Sequence, residues 1–358
     1  MNSACKLFFL LPFIFFQSLL SNAQSATQTY SNNKEANAYF ISALHYIEIG
    51  TPRTGGSPDS LKIAVELLEK AIKEDSLFAL AYLELSRTWW RFGYSYPNYR
   101  LYFPGAIAVL PKSKKAILKA LEIDSSSGEA YADLASLNLN YEYKWDEALK
   151  NLDKAIKYAP DNYENLVRYG QILALKGNWE AAQKWIDKAY SLAPNDSRVL
   201  LTISMYYNWK RDYKKADYYF NQINPPNYLS KFFQSMNYIA DGNASKAIEI
   251  LRARFIEFEK STNDGGSKAL MAYALTQNGE LKEAEEFIKR SHELNQVVKY
   301  REAVFYVGKK DYKKAIELLE EYYGEHGNWM IWLKYDPALD PLRNEKRFIA
   351  LLNKMKFE

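Results

Sequence analysis

Residues 144–162 read KWDEALKNLDKAIKYAPDN, and residues 178–196 read NWEAAQKWIDKAYSLAPND. The second stretch begins 34 residues after the first and aligns with it without a gap. Trp145 falls on Trp179, Ala148 on Ala182, Lys150 on Lys184, Asp153 on Asp187, Ala155 on Ala189 and Pro160 on Pro194. A fixed period of this length marks units that stack on their neighbours and need no single large core.

The period continues on both sides, with one unit over 128–162, a second over 163–196 and a third opening at Ser197. Each unit carries two apolar stripes at helical spacing, separated by a short polar turn. In the unit that starts at Tyr163 the stripes are Leu166, Tyr169, Gly170 and Leu173, then Ala182, Trp185, Ile186 and Ala189. Steps of three and four place each set on one helix face. Gly177 in the turn LKGNW suits the left-handed conformation that ends a helix, and Pro194 stops the second helix. Gly170, Ala182 and Ala189 are small where two helices must approach to about 8–10 Å.

This pattern resembles the tetratricopeptide repeat, a 34-residue helix–turn–helix unit. More degenerate copies put Ala64, Ala247, Ala284 and Ala315 at the position of Ala182, and Ala120 at that of Ala189. About eight repeats are expected over 33–325, with insertions at 50–59 and 94–110 and an interruption at NPPN, 224–227. The resemblance implies an all-α, right-handed superhelical solenoid. The apolar face of the last repeat needs a cover, and 326–358, with Trp329, Trp332, Leu333, Leu342 and Phe348, reads as a C-terminal cap; the alternative is a ligand site.

Residues 79–222 and the tail WLKYDPALDPLRNEKRFIALLNKM are similar to the repeat arm of bacterial signalling proteins. In those proteins the arm follows a winged-helix, kinase or nucleotide-cyclase domain. Here a leader stands in that place. Lys6 precedes the apolar run Leu7–Leu20, and small residues Ser21 and Ala23 follow it. The run is shorter than the roughly 20 residues of a membrane span, so 1–23 reads as a cleaved export signal and 24–32 as a linker. Cys5, the only cysteine, lies before the run, so no lipid-accepting cysteine and no disulfide is expected. The localisation that follows is the periplasm or the exterior of a bacterium.

The net charge of +4 falls to +3 on removal of 1–23, with both signs interspersed. No basic stripe suited to nucleic acid stands out. His45, His292 and His326 are far apart, with no metal-ligand spacing. There is no nucleophile elbow and no phosphate-binding glycine loop. Asp133, Glu142, Asp146 and Glu147 read as solvated helix faces, and Asp336–Asp340 as paired turns. No catalytic residue, cofactor or metal is expected.

Partner binding in this family usually uses the concave side, lined by the first helix of each unit. The register places Leu201, Met205 and Trp209 there in the fifth repeat, and Phe232 and Met236 in the sixth. Such residues suit an amphipathic or extended peptide, although a one-residue slip at NPPN makes Phe232, Met236 and Ile239 ordinary core. Arg168 and Arg198 lie near positions where some family members grip a terminal carboxylate, but the accompanying Lys–Asn set is absent. The loop tyrosines Tyr96, Tyr99 and Tyr102 form a second candidate surface, with a loop folded over the repeats as the alternative. The expected function is an exported, non-enzymatic scaffold for a protein or peptide partner. Glycan capture in the envelope is the alternative, and an enzyme with a composite site is the least favoured reading.

Overall fold

The computed structural model describes residues 29–50, 58–95, 106–257, 265–293 and 298–357. The leader 1–23, most of the linker, the bulk of both expected insertions and Tyr96, Tyr99 and Tyr102 lie outside these residues. The described residues are helical and contain no strand, and they form two compact units, one ending at Asp161 and the other starting at Asn162.

The first unit contains three helix pairs: α1 (Lys34–Ile49) with α2 (Pro58–Glu74), α3 (Ala79–Ser95) with α4 (Ala106–Ile123), and α5 (Gly128–Asn140) with α6 (Trp145–Tyr158). The second unit continues with α7 (Tyr163–Leu175) and α8 (Trp179–Leu192), α9 (Ser197–Trp209) and α10 (Tyr213–Gln222), and α11 (Tyr228–Ala240) and α12 (Ala244–Glu257). It ends with α13 (Gly265–Gln277) and α14 (Leu281–Glu293), then α15 (Lys299–Gly308) and α16 (Tyr312–Gly324). Beyond α16 run two 3-10 segments, Asn328–Trp332 and Pro337–Leu342, and a last helix, α17 (Lys346–Met355).

Local chemistry sets the helix ends. Asn162, Asn178, Asp196, Asp212, Asn227 and Asp311 each accept backbone N–H groups of the first turn through their side chains, which satisfies donors that the helix cannot pair. In the six pairs from α5–α6 to α15–α16 the turn crosses the left-handed region at one recurring place, occupied by Tyr143, Gly177, Arg211, Gly242, Gly279 and Lys310. Glycine takes that conformation freely, whereas other residues adopt it at a cost of about 1–2 kcal/mol. Tyr143, Arg211 and Lys310 therefore mark turns that the rest of the structure over-determines.

One expected boundary is corrected. The insertion expected at 94–110 is shorter, because α4 already starts at Ala106 and buries Val109 and Leu110. Pro111 lies inside α4 and lacks the N–H that would bond to the carbonyl four residues back. That carbonyl, on Ile107, instead accepts from the Tyr141 hydroxyl at 3.4 Å. The apolar segment thus continues the helix through a proline that read as its start.

The small residues sit where the helices are closest. A Cβ at Gly170 would lie 2.8 Å from Ile186 Cγ1 and 3.1 Å from the Ala182 carbonyl oxygen. Gly170→Ala is expected to destabilise the second unit by about 1–3 kcal/mol through overpacking. Urea denaturation checks this, and an unchanged midpoint and slope would contradict so tight a crossing.

Candidate functional site

The tail does more than cover the last repeat. Residues 328–343 lie along the first helices of several earlier repeats of the second unit. Trp329 packs edge-on against Phe232 of α11, with ring centroids 5.9 Å apart, and Trp332 against Phe233 at 5.6 Å. The two indoles also pack on each other at 4.9 Å. Tyr335 meets Trp179, at the start of α8, at 5.0 Å. Its hydroxyl stands 2.8 Å from where a Cβ on Gly177 would be, so Gly177 both permits its turn and leaves room for the tail.

Charged groups fix the path between these rings. Arg211 donates to the Tyr335 carbonyl at 3.1 Å and to the Asp340 carboxylate at 2.6 Å. Arg343 donates to the carbonyls of Leu333 at 3.0 Å and Asp336 at 3.1 Å, folding the tail onto itself. Asp336 accepts from Ala338 N, which caps the second 3-10 segment, and from the Tyr300 hydroxyl of α15.

Arg301 of α15 lies at the bottom of this seat, 1% exposed. Its guanidinium is 4.0 Å from the Trp329 ring centroid and 5.2 Å from that of Phe232, positions favourable for cation–π attraction. Asp336 is 3.6 Å away and 2% exposed. Burial lowers the Arg301 pKa, against the opposing charge of Asp336. Among the described residues, none of the three guanidinium nitrogens has an acceptor at hydrogen-bond distance, and neither has Trp332 Nε1. A buried polar group left in this state costs about 1–3 kcal/mol, more when it is charged. The seat is thus strongly apolar but incompletely satisfied.

Two further polar clusters tie neighbouring repeats. In the second unit Arg198 of α9 pairs with Asp196 and Glu164 and with the Tyr163 hydroxyl, which donates to Asp196 at 3.0 Å. Burial pushes the Tyr163 pKa up to about 12, with Arg198 opposing and Asp196 reinforcing. In the first unit Arg87 of α3 donates to Asp133 at 2.7 Å and Glu129 at 2.9 Å, both on α5, and to Glu84 at 2.7 Å. Burial alone would lower the Arg87 pKa, but these carboxylates hold it above its ordinary value. The neighbouring Arg91 is lowered to about 10 by burial and by the like charge of Arg87, with Glu84 and Asp133 opposing.

The sequence-derived candidates fall out as follows. Leu201, Met205, Trp209, Phe232 and Met236 are all interior, between 2% and 9% exposed. The first-helix face of the second unit therefore does not present them as bare surface. Phe232 is covered by Trp329, which the spacing of repeats 128–222 says nothing about. Asn208, on the same projected stripe, donates to Asn237 of the next repeat at 2.9 Å. Arg198 and Arg168 are committed to acids, Arg168 lying 3.5 Å from Glu164. The reading of Asp133 and Glu142 as solvated is corrected: Asp133 is 6% exposed and paired with Arg87. Glu142 accepts from Lys114 at 2.5 Å and Asn138 at 2.9 Å. Arg87, Arg211 and Arg301 escape a reading from spacing because each is defined by a partner on another element. Among the described residues no group of three or more His, Cys, Asp or Glu side chains gathers at metal-binding distance. No helix there is long and apolar enough to cross a membrane.

Residues 139–202 match the family model described as tetratricopeptide repeat. A tetratricopeptide repeat protein from Parabacteroides merdae superposes with a TM-score of 0.55 at 15% identity, covering 79% of this chain and 99% of its own. Yeast Tom70 superposes with a TM-score of 0.55 at 17% identity, covering 91% of this chain and 69% of its own. No curated protein matches the chain in sequence. At such identities the likeness is one of fold. The described residues have an all-α fold similar to that of tetratricopeptide-repeat proteins.

Two outcomes follow from the seat. Asp336→Ala leaves Arg301 buried without its counter-charge and is expected to cost about 3–5 kcal/mol. Arg301→Met should cost less, because Asp336 keeps Tyr300 and Ala338 N as donors; denaturant titration ranks the two, and the reverse order would contradict the pairing. Burial also raises the pKa values of Tyr300, Tyr322 and Tyr273 in the second unit. Groups raised in the folded state stabilise it fully below the unfolded tyrosine value of about 10, and that contribution is lost as the pH rises through the folded values. Exposed tyrosines should therefore ionise near pH 10, and a second set only as helicity disappears at higher pH. Complete ionisation with the circular dichroism unchanged would contradict this.

Proposed function

We propose that this chain is an exported, non-catalytic repeat scaffold that holds a protein or peptide partner against the first helices of its repeats. The observation that supports this most is the tail seat: rings from α11 and guanidinium groups from α15 and the α9–α10 turn accommodate a non-repeat segment wound as two 3-10 stretches. A surface that takes one peptide segment through aromatic anchors and Arg–Asp pairs has the chemistry to take another. A preformed frame of packed helices spares part of the ordering cost of binding. The leader 1–23 supports export to the periplasm or beyond, and the order of motifs through 79–222 resembles the repeat arm of signalling proteins.

Photo-crosslinking in intact bacteria tests this reading. The expected result is a chain that starts at Gln24 in the envelope fraction, with a discrete protein adduct mapping to first-helix positions. A chain retained in the cytosol with its leader, or adducts confined to second-helix surfaces, would contradict it. Binding restricted to glycans would favour the alternative.

A further inference from the structure

We propose that residues 328–343 are a built-in occupant of the peptide-binding face of the second unit, so that this face is closed by the chain's own tail until a peptide segment of the same chemistry replaces it. The inference rests on the reading of the chain as a peptide-binding scaffold and adds how that site is regulated and what it selects.

Four observations converge on it. The tail is not a repeat element, for it runs as two 3-10 segments with Asp-Pro at the start of the second, while every repeat is a helix pair. Its contacts reach far back in the chain, Arg211 binding Tyr335 and Asp340 across 124 and 129 residues. The Arg301 guanidinium meets the tail through the Trp329 ring at 4.0 Å and the Asp336 carboxylate at 3.6 Å, with no direct hydrogen bond between them. The Arg211–Asp340 pair at its edge is accessible, the two side chains being 34% and 46% exposed, so a competitor has a place to start.

Arg211 is informative in a further way. It occupies the left-handed turn position that Gly177 holds one repeat earlier, with φ +65°. A glycine would be the easier residue for that turn. The arginine is explained by what its side chain does, which is to grip the tail.

The contacts also define what can replace the tail. Two tryptophans three residues apart must meet Phe232 and Phe233, an aspartate must face Arg301 and Tyr300, and a second aspartate four residues on must meet Arg211. The tether holds the tail at an effective concentration on the order of millimolar. A free partner at micromolar concentration must therefore bind about 1,000-fold more tightly than the untethered tail, or act after the tether is cut.

The test uses the full chain with a specific protease site inserted after Gly324, the exposed last residue of α16. After cleavage, the tail fragment is expected to remain bound, and a fluorescent peptide of residues 326–358 to exchange into the complex with the helical circular dichroism unchanged. The unlabelled peptide should compete, and peptides carrying Trp332→Ala or Asp340→Ala should compete at least about 30-fold less well. Arg211→Gly in the protein keeps the turn and should speed exchange at least about tenfold. The proposal is overturned if the peptide enters only as fast as the whole unit unfolds, or if a scrambled peptide competes equally. Exchange without any in-cell protein adduct would sink the scaffold reading and leave this one standing. An adduct on the first unit with no tail exchange would do the reverse.

Discussion

Two amphipathic helices joined by a short turn bury their apolar stripes only if nothing bulky stands where their backbones come closest, and that steric constraint organises this chain. Ala64, Ala148, Ala182, Ala247, Ala284 and Ala315 have no exposed surface, and Gly170 has no room for even a methyl group beside Ile186. The pair so formed still has an apolar flank, which the next pair covers. Stability is then a sum of pair and neighbour terms rather than the property of one core. Polar ties such as Arg87 with Asp133 and Arg198 with Glu164 fix one first helix against the next. Their desolvation is costly, so their contribution lies more in register than in net stability.

A stack built in this way has two uncovered surfaces, its last flank and the row of first helices. The tail serves both. α17 packs on α16 and is tied to it by Arg347 and Glu320 at 2.6 Å, while the residues before it run back over the first helices. One segment thus couples the last repeat to the first helices of earlier repeats in the second unit. The aromatic rings supply area and the Arg–Asp pairs supply direction, the same division of labour as in interfaces between separate chains.

Much of this was legible in the sequence, and the exceptions have physical causes. The 34-residue period gave the helix pairs because small residues and turn residues must recur wherever the geometry recurs. The left-handed turn could be seen at Gly177 but not at Tyr143, Arg211 or Lys310, where tertiary contacts override the backbone preference. Asp133 looked solvated because an acid on a helix does not announce the arginine that faces it from another helix. The apolar residues of the tail suggested a cover, with a ligand site as the alternative. Its path was hidden, since Trp332 and Asp340 meet partners about 100 residues or more away in the chain. Tyr96, Tyr99 and Tyr102 lie outside the described residues.

Native-state hydrogen exchange on the intact chain tests most directly whether the tail is an occupant rather than core. Amides of residues 328–343 should exchange through an opening that leaves the amides of α9, α11 and α15 protected, with a free energy below that of global unfolding. If the tail amides exchange only together with those helices, at the same free energy and the same denaturant dependence, the tail is an inseparable part of the fold and the account of an occupied face is wrong.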